Sequence, residues 1–313
     1  MTGFLPPDGL IELSHRVDRT QWGGWIHRSL EAGRPTVLML HGTGGNSATW
    51  RPLLSELGAR TSGWNMVLPD LPGHGQTQCG QHAQHGLKEM AQDLQALLSS
   101  LGVQQVDLVV GHSAGAAVGI WLALLANDRD LQSGSQSSKT TPLPGNTSPL
   151  SRISIGRIIG VAPSLVPPPS LYNLLLGPVL NPLFVSAVSV SMITLLARNT
   201  GMVDRLIRST GSQIPSSQLD AYRQLFQEEN HVRGAIEFMA GTDLPELLKR
   251  GPALSAPLDL LIAEDDPWIP ARALRSVAMN HFPHARLHFC KGGHLVHEAD
   301  PGPLVTLMTQ AFH

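Results

Sequence analysis

The pentapeptide Gly111-His112-Ser113-Ala114-Gly115 constrains this chain more than any other feature, because it directly follows the apolar run VDLVV and directly precedes a stretch rich in alanine and glycine. A strand must turn sharply into a helix there, and small residues around the turn let the two backbones approach. In that setting the middle residue is held in a strained conformation. Its hydroxyl is raised off the sheet beside a helix N-terminus that favours developing negative charge. An ordinary glycine-rich turn would match the pentapeptide alone; the strand before it and the helix after it make Ser113 a candidate nucleophile.

The same strand-then-helix pattern recurs along the chain. Short apolar runs at 36–40 (TVLML), 66–68, 106–110, 153–161 and 258–262 (LDLLI) end in loop chemistry and read as buried parallel strands. Helical patterns lie at 47–57, 87–101 and 114–126, the second with apolar residues at Leu87, Met90, Leu94, Leu97, Leu98 and Leu101. Adding antiparallel edge strands at 11–17 and 24–28 and a last strand at 285–290, the alternation predicts an α/β fold with a mostly parallel, doubly wound eight-stranded sheet. A helix at 301–312 closes the chain. The expected organisation is a core of residues 1–162 and 251–313, an inserted helical cap at 163–250, and a surface loop at 127–152 rich in Ser, Gln, Thr, Pro and Gly.

Charge and cysteine usage exclude several function classes. Lys and Arg number 22 against 24 Asp and Glu, with no basic cluster, which speaks against a nucleic-acid partner. Cys79 and Cys290 match no metal or redox spacing, and residues 1–9 lack the basic start and apolar run of a signal peptide, so a cytoplasmic location is expected. Residues 158–197 contain no Asp, Glu, Lys, Arg or His, but prolines leave only 183–197 unbroken, short of the roughly 20 apolar residues a span requires. That stretch reads as an apolar lid, or as a peripheral contact with a membrane surface.

A serine is inert at neutral pH without a base. His294, in the Gly292-Gly293-His294 loop after the last strand, can return over the elbow, and this position distinguishes it from the other thirteen histidines, His297 included. A carboxylate to orient it should follow the preceding core strand, where both Asp265 and Asp266 satisfy the chemistry. The amides of Thr43, in His41-Gly42-Thr43-Gly44-Gly45, and of Ala114 are the expected oxyanion donors. The glycine-rich stretch lacks the Gly-Lys-Ser/Thr ending of a phosphate loop. Residues 70–75 (DLPGHG) read as a structural turn, with His74 within reach of a substrate. His112, Tyr172, Tyr222 and His231 are candidate substrate contacts. His82 and His85 have metal-like spacing but no carboxylate neighbours, and no metal or cofactor is expected.

His41-Gly42, residues 70–75, Gly111 to Gly115, and Gly293-His294 with Glu298 and Pro301 resemble the α/β-hydrolase superfamily over nearly the whole chain. That resemblance implies an acid in the spacing G-x-x-D-x-x-V-P, which falls on Ala263-Glu264-Asp265-Asp266-Pro267-Trp268-Ile269-Pro270 and selects Asp266. A serine at the elbow sets the chain apart from haloalkane dehalogenases and epoxide hydrolases, whose elbows carry Asp. A narrower set resembles the magnesium-chelatase accessory proteins of bacteriochlorophyll biosynthesis: residues 13–18 (LSHRVD), Trp25 with His27-Arg28, residues 111–117 (GHSAGAA), Thr210-Gly211-Ser212, Tyr222, His231-Val232 and Met239-Ala240. It implies a serine hydrolase acting on an ester-like bond through an acyl-enzyme, on an apolar ester or a tetrapyrrole, with magnesium chelatase subunits as partners. The alternatives are a non-catalytic porphyrin-binding protein that assists the chelatase, and a general carboxylesterase.

Overall fold

The computed structural model describes residues 6–80, 86–127, 153–166, 190–191, 194–195 and 201–312. The surface loop expected at 127–152, apart from Asn127, lies outside them, as do Tyr172, His82, His85 and most of the apolar stretch at 167–200. Within them β1 (Leu10–Glu12), β2 (Gly24–His27), β3 (Thr36–Leu40), β4 (Asn65–Pro69), β5 (Leu108–His112), β6 (Ile158–Val161), β7 (Leu258–Ala263) and β8 (Arg286–Cys290) form one sheet. Its order is β1-β2-β4-β3-β5-β6-β7-β8. β2 runs antiparallel to both its neighbours, β1 and β4, and every other pairing is parallel.

The central strands are apolar on both faces because helices cover both faces. Leu38, Leu40, Val67, Val109 and Leu260 face one apolar layer, and Val37, Met39, Met66, Val110 and Leu261 alternate into the other. α1 (Arg51–Leu57) covers the second face. α2 (Leu87–Ser100) and α3 (Ala114–Asn127) cover the first. α3 is buried continuously from Ala114 to Leu125, as expected of a helix apolar on every side and held between the sheet and α2. Between β6 and β7 come α4 (Met202–Ser209), α5 (Ser216–Leu225), α6 (Glu229–Gly241) and α7 (Leu244–Arg250). α8 (Ala271–His281) returns to the first face, and after α9 (Val296–Ala299), α10 (Gly302–Gln310) joins α1 on the second.

Three local differences from the sequence reading have physical causes. The stretch 11–17 divides: β1 ends at Glu12, and His15–Val17 instead pairs with Thr20–Trp22 in a separate hairpin turned at Asp18, φ 50°. Likewise Gln105–Val106 pairs with Ser154–Ile155 in its own short ladder before the sheet strands begin at Leu108 and Ile158. The pattern at 47–57 is a 3-10 turn, Ser47–Trp50, followed by α1. Pro52 has no amide to bond the Ala48 carbonyl, which takes the Arg51 N–H one residue earlier instead. Among the described residues no helix is long and apolar enough to cross a membrane.

Candidate active site

Because β3, β5, β7 and β8 run parallel, the loops that follow them leave the same edge of the sheet, and the chemistry-bearing residues meet there. Ser113 is the single residue between β5 and α3. Its φ is +51°, a left-handed backbone that costs a non-glycine residue about 1–2 kcal/mol. The surroundings hold it there: its N–H donates to the Val161 carbonyl (2.9 Å), and its carbonyl accepts from Ala116 (3.2 Å) and Ser164 (3.0 Å). A β-carbon at Gly115 would collide with the Leu40 carbonyl, so only glycine lets α3 start this close to β3.

His294 Nε2 lies 2.9 Å from Ser113 Oγ, and His294 Nδ1 lies 2.7 Å from Asp266 Oδ2. A carboxylate can only accept, so Nδ1 carries the imidazole proton and the Nε2 lone pair faces the serine hydroxyl. The other carboxylate oxygen of Asp266 accepts from the amides of Trp268 (2.7 Å) and Ile269 (3.0 Å). Both side chains are buried, which strengthens the interaction by excluding water. Asp265 points elsewhere, its Oδ2 accepting from the Gly292 amide at 3.2 Å. The arrangement can therefore withdraw the Ser113 proton and stabilise the imidazolium that results.

The Gly42–Gly45 segment is a tight turn closed by the Gly45 amide on the Gly42 carbonyl (3.0 Å), with Gly44 at φ +77° as a type II turn requires. His41 Nδ1 also donates to the Gly42 carbonyl (2.8 Å), while its Nε2 accepts the Leu71 amide (2.8 Å). The Gly42 carbonyl and the Thr43 N–H belong to one peptide and point in opposite directions. Anchoring the carbonyl therefore aims the amide. A β-carbon on Gly42 would lie 3.0 Å from Ser113 Cβ, so the turn sits directly against the serine. Ala114 opens α3, and its amide has no helical acceptor.

The other sequence candidates have different surroundings. His112 is buried and its Nε2 donates to the His294 carbonyl (2.9 Å), fixing the loop that carries the imidazole. The Tyr222 hydroxyl donates to Glu298 Oε1 (2.7 Å). Both ring nitrogens of His231 bond backbone, Nε2 donating to the Gly44 carbonyl and Nδ1 accepting the Gly75 amide, each at 3.1 Å. His74 is fully buried, with Nδ1 donating to the Pro72 carbonyl (3.1 Å). His297 is fully buried against His112 (ring centroids 4.1 Å) and Trp50 (4.9 Å), and burial depresses it to about 3. Burial likewise depresses His41 and His231 to about 4, so both stay neutral and can donate through one nitrogen while accepting through the other. Sequence reasoning did not find Trp268, whose ring lies 5.2 Å from that of His294, or the Thr210 carbonyl, which accepts the His294 amide at 2.9 Å. Among the described residues no group of His, Cys, Asp and Glu is placed to hold a metal ion.

Glu298 is fully buried and desolvation raises its carboxyl from 4.5 to about 8. Folding therefore takes up a proton at Glu298 between those values, so this group costs stability progressively as pH rises from 4.5 to about 8 and nothing below that window. Glu298→Gln keeps an acceptor for Tyr222 and cannot ionise. In urea unfolding its advantage over wild type is expected to grow across that window to the order of a few kcal/mol. A difference independent of pH would show that the carboxyl is already charged in the folded protein.

Residues 37–307 match the Alpha/beta hydrolase family. The chain is 29% identical over 283 residues to the magnesium-chelatase 30 kDa subunit of Rhodobacter capsulatus, covering 90% of this chain and 88% of that one. Among solved structures it is similar to the 2-hydroxy-6-oxo-6-phenylhexa-2,4-dienoate hydrolase of Rhodococcus sp. strain RHA1 (TM-score 0.66, 17% identity, 97% of this chain and 98% of that one). It is also similar to a hydrolase from Pseudomonas aeruginosa PA01 (TM-score 0.64, 17% identity, 98% and 99%).

Proposed function

This chain belongs to the alpha/beta hydrolase family, and from that premise we propose that it is a serine hydrolase cleaving an ester-like bond through an acyl-enzyme. The observation that carries this reading is the Ser113–His294–Asp266 relay, at 2.9 and 2.7 Å. Ser113 Oγ attacks the carbonyl carbon as its proton passes to His294 Nε2. The amides of Thr43 and Ala114 take the oxyanion, and the alcohol leaves with the proton from His294. Water, deprotonated by the same nitrogen, then releases the acid and restores the serine. Residues 163–250 act as the cap, and its apolar stretch suits an apolar ester or a tetrapyrrole.

The likeness to the Rhodobacter capsulatus subunit over 90% of the chain favours a role in magnesium-porphyrin metabolism over a general carboxylesterase. It equally favours a second reading, a porphyrin-binding accessory to the chelatase in which the relay is little used. The two readings separate in one experiment with two parts. A serine-directed aryl phosphonate is expected to label wild type at Ser113 alone, and Ser113→Ala is expected to fail to restore pigment synthesis in a null strain. Labelling at another residue would overturn the nucleophile. Labelling of Ser113 together with full complementation by the alanine variant would assign the biological role to binding.

A further inference from the structure

We propose that His231, carried on α6 between β6 and β7, is a positioning residue that clamps the Gly42–Gly45 turn, so that the Thr43 amide is aimed at the reacting carbonyl only while α6 is seated on the loops after β3 and β4. This inference rests on the serine-hydrolase reading. One imidazole bridges the two loops: Nε2–H donates to the Gly44 carbonyl and Nδ1 accepts from the Gly75 amide, each at 3.1 Å. The ring is 1% exposed, so water cannot replace either bond. Gly44 is the left-handed corner of the turn, φ +77°; its carbonyl shares a peptide with the Gly45 N–H, which donates to the Gly42 carbonyl (3.0 Å), and that carbonyl's own peptide carries the Thr43 N–H. Phe226 backs the same corner: its ring would contact a β-carbon at Gly44 at 3.4 Å and lies edge-on to His231 at 5.7 Å. His74 meets the other side of the His231 ring edge-on at 5.4 Å.

α6 itself is pressed onto the second loop. A β-carbon at Gly234, one helical turn after His231, would collide with the Gly73 carbonyl, so the helix backbone touches the loop backbone. His41 holds the near side of the turn through the Gly42 carbonyl, and His231 holds the far side through the Gly44 carbonyl. The two anchors differ in origin. His41 directly follows the sheet strand β3, whereas His231 arrives on the inserted segment, so any movement of α6 away from the loops is transmitted to an oxyanion donor.

A merely structural histidine and a positioning one differ in what their removal does to transition-state binding. The readouts are kcat and KM for a p-nitrophenyl ester, and Ki for a trifluoromethyl ketone, whose adduct with Ser113 places an oxyanion where the Thr43 amide points. His231→Leu is expected to lower kcat by about 10- to 100-fold and weaken the ketone by a similar factor, with KM changed less than about threefold, as for loss or misdirection of one oxyanion donor. His231→Gln, which keeps a donor and an acceptor, is expected to recover part of both. Gly234→Ala, which lifts α6 without altering the ring, is expected to give the same paired loss, and it decides the matter if His231→Leu does not fold. Unchanged kcat and ketone affinity in folded His231→Leu, or in Gly234→Ala, overturn the clamp while leaving the serine mechanism standing. If wild type forms no adduct at Ser113, the serine mechanism fails and the clamp with it.

Discussion

Replacing Ser113 by alanine is expected to lower kcat for a p-nitrophenyl ester by about four to six powers of ten with the fold intact, because it removes the hydroxyl that forms the acyl-enzyme. Loss of activity alone could follow from a disturbed fold, and the backbone of Ser113 supplies the control. Its φ of +51° is unfavourable for alanine as for serine, whereas glycine adopts it freely. Ser113→Gly should therefore be inactive yet more stable than Ser113→Ala by about 1 kcal/mol in urea unfolding, since both lack the hydroxyl and the strain that glycine relieves exceeds the extra entropy of its unfolded chain. A serine kept for structure would leave activity in both variants. Turnover by Ser113→Ala within tenfold of wild type would remove Ser113 from the chemistry.

How much of this site can be read from the chain depends on whether a residue's position follows from local backbone chemistry. The elbow is legible because a strand, a serine between small residues and a helix leave few ways to turn, and the collision awaiting any side chain at Gly115 shows why the pattern is strict. His294 is legible through its place after the last strand. Asp265 and Asp266 are not separable by charge, and only the spacing shared with the α/β-hydrolases selects Asp266. What separates them is the turn that follows β7, where the amides of Trp268 and Ile269 bind Asp266 Oδ1 and leave its other oxygen facing His294. The histidine anchors are legible least. His231 reaches Gly44 across 187 residues and His112 reaches the His294 carbonyl across 182, and no periodicity encodes such contacts. The edge strands fail for a related reason: alternation along 11–17 specifies a strand but not its neighbour, and only the turn at Asp18 diverts half of it into a hairpin.

Asp266→Asn is expected to lower kcat by about 10⁴-fold at neutral pH while leaving KM and the melting temperature nearly unchanged, and the reason lies in the oxygen that does not touch histidine. Asp266 Oδ1 accepts two backbone amides, from Trp268 at 2.7 Å and Ile269 at 3.0 Å. In asparagine only the carbonyl oxygen can fill that role, so the side-chain NH₂ must turn toward His294 Nδ1, 2.7 Å from the present Oδ2. A donor there compels Nδ1 to accept, which moves the imidazole proton to Nε2. Nε2–H then donates to Ser113 Oγ instead of accepting its proton, and the base is lost although every heavy atom keeps its place. The same substitution at Asp265, whose carboxylate accepts the Gly292 amide at 3.2 Å and does not face His294, should change kcat by less than about threefold. A loss at Asp265→Asn equal to that at Asp266→Asn would mean that the loop, and not the tautomer, governs the rate. Full activity in Asp266→Asn would mean that His294 needs no carboxylate partner and that the relay is not the working base.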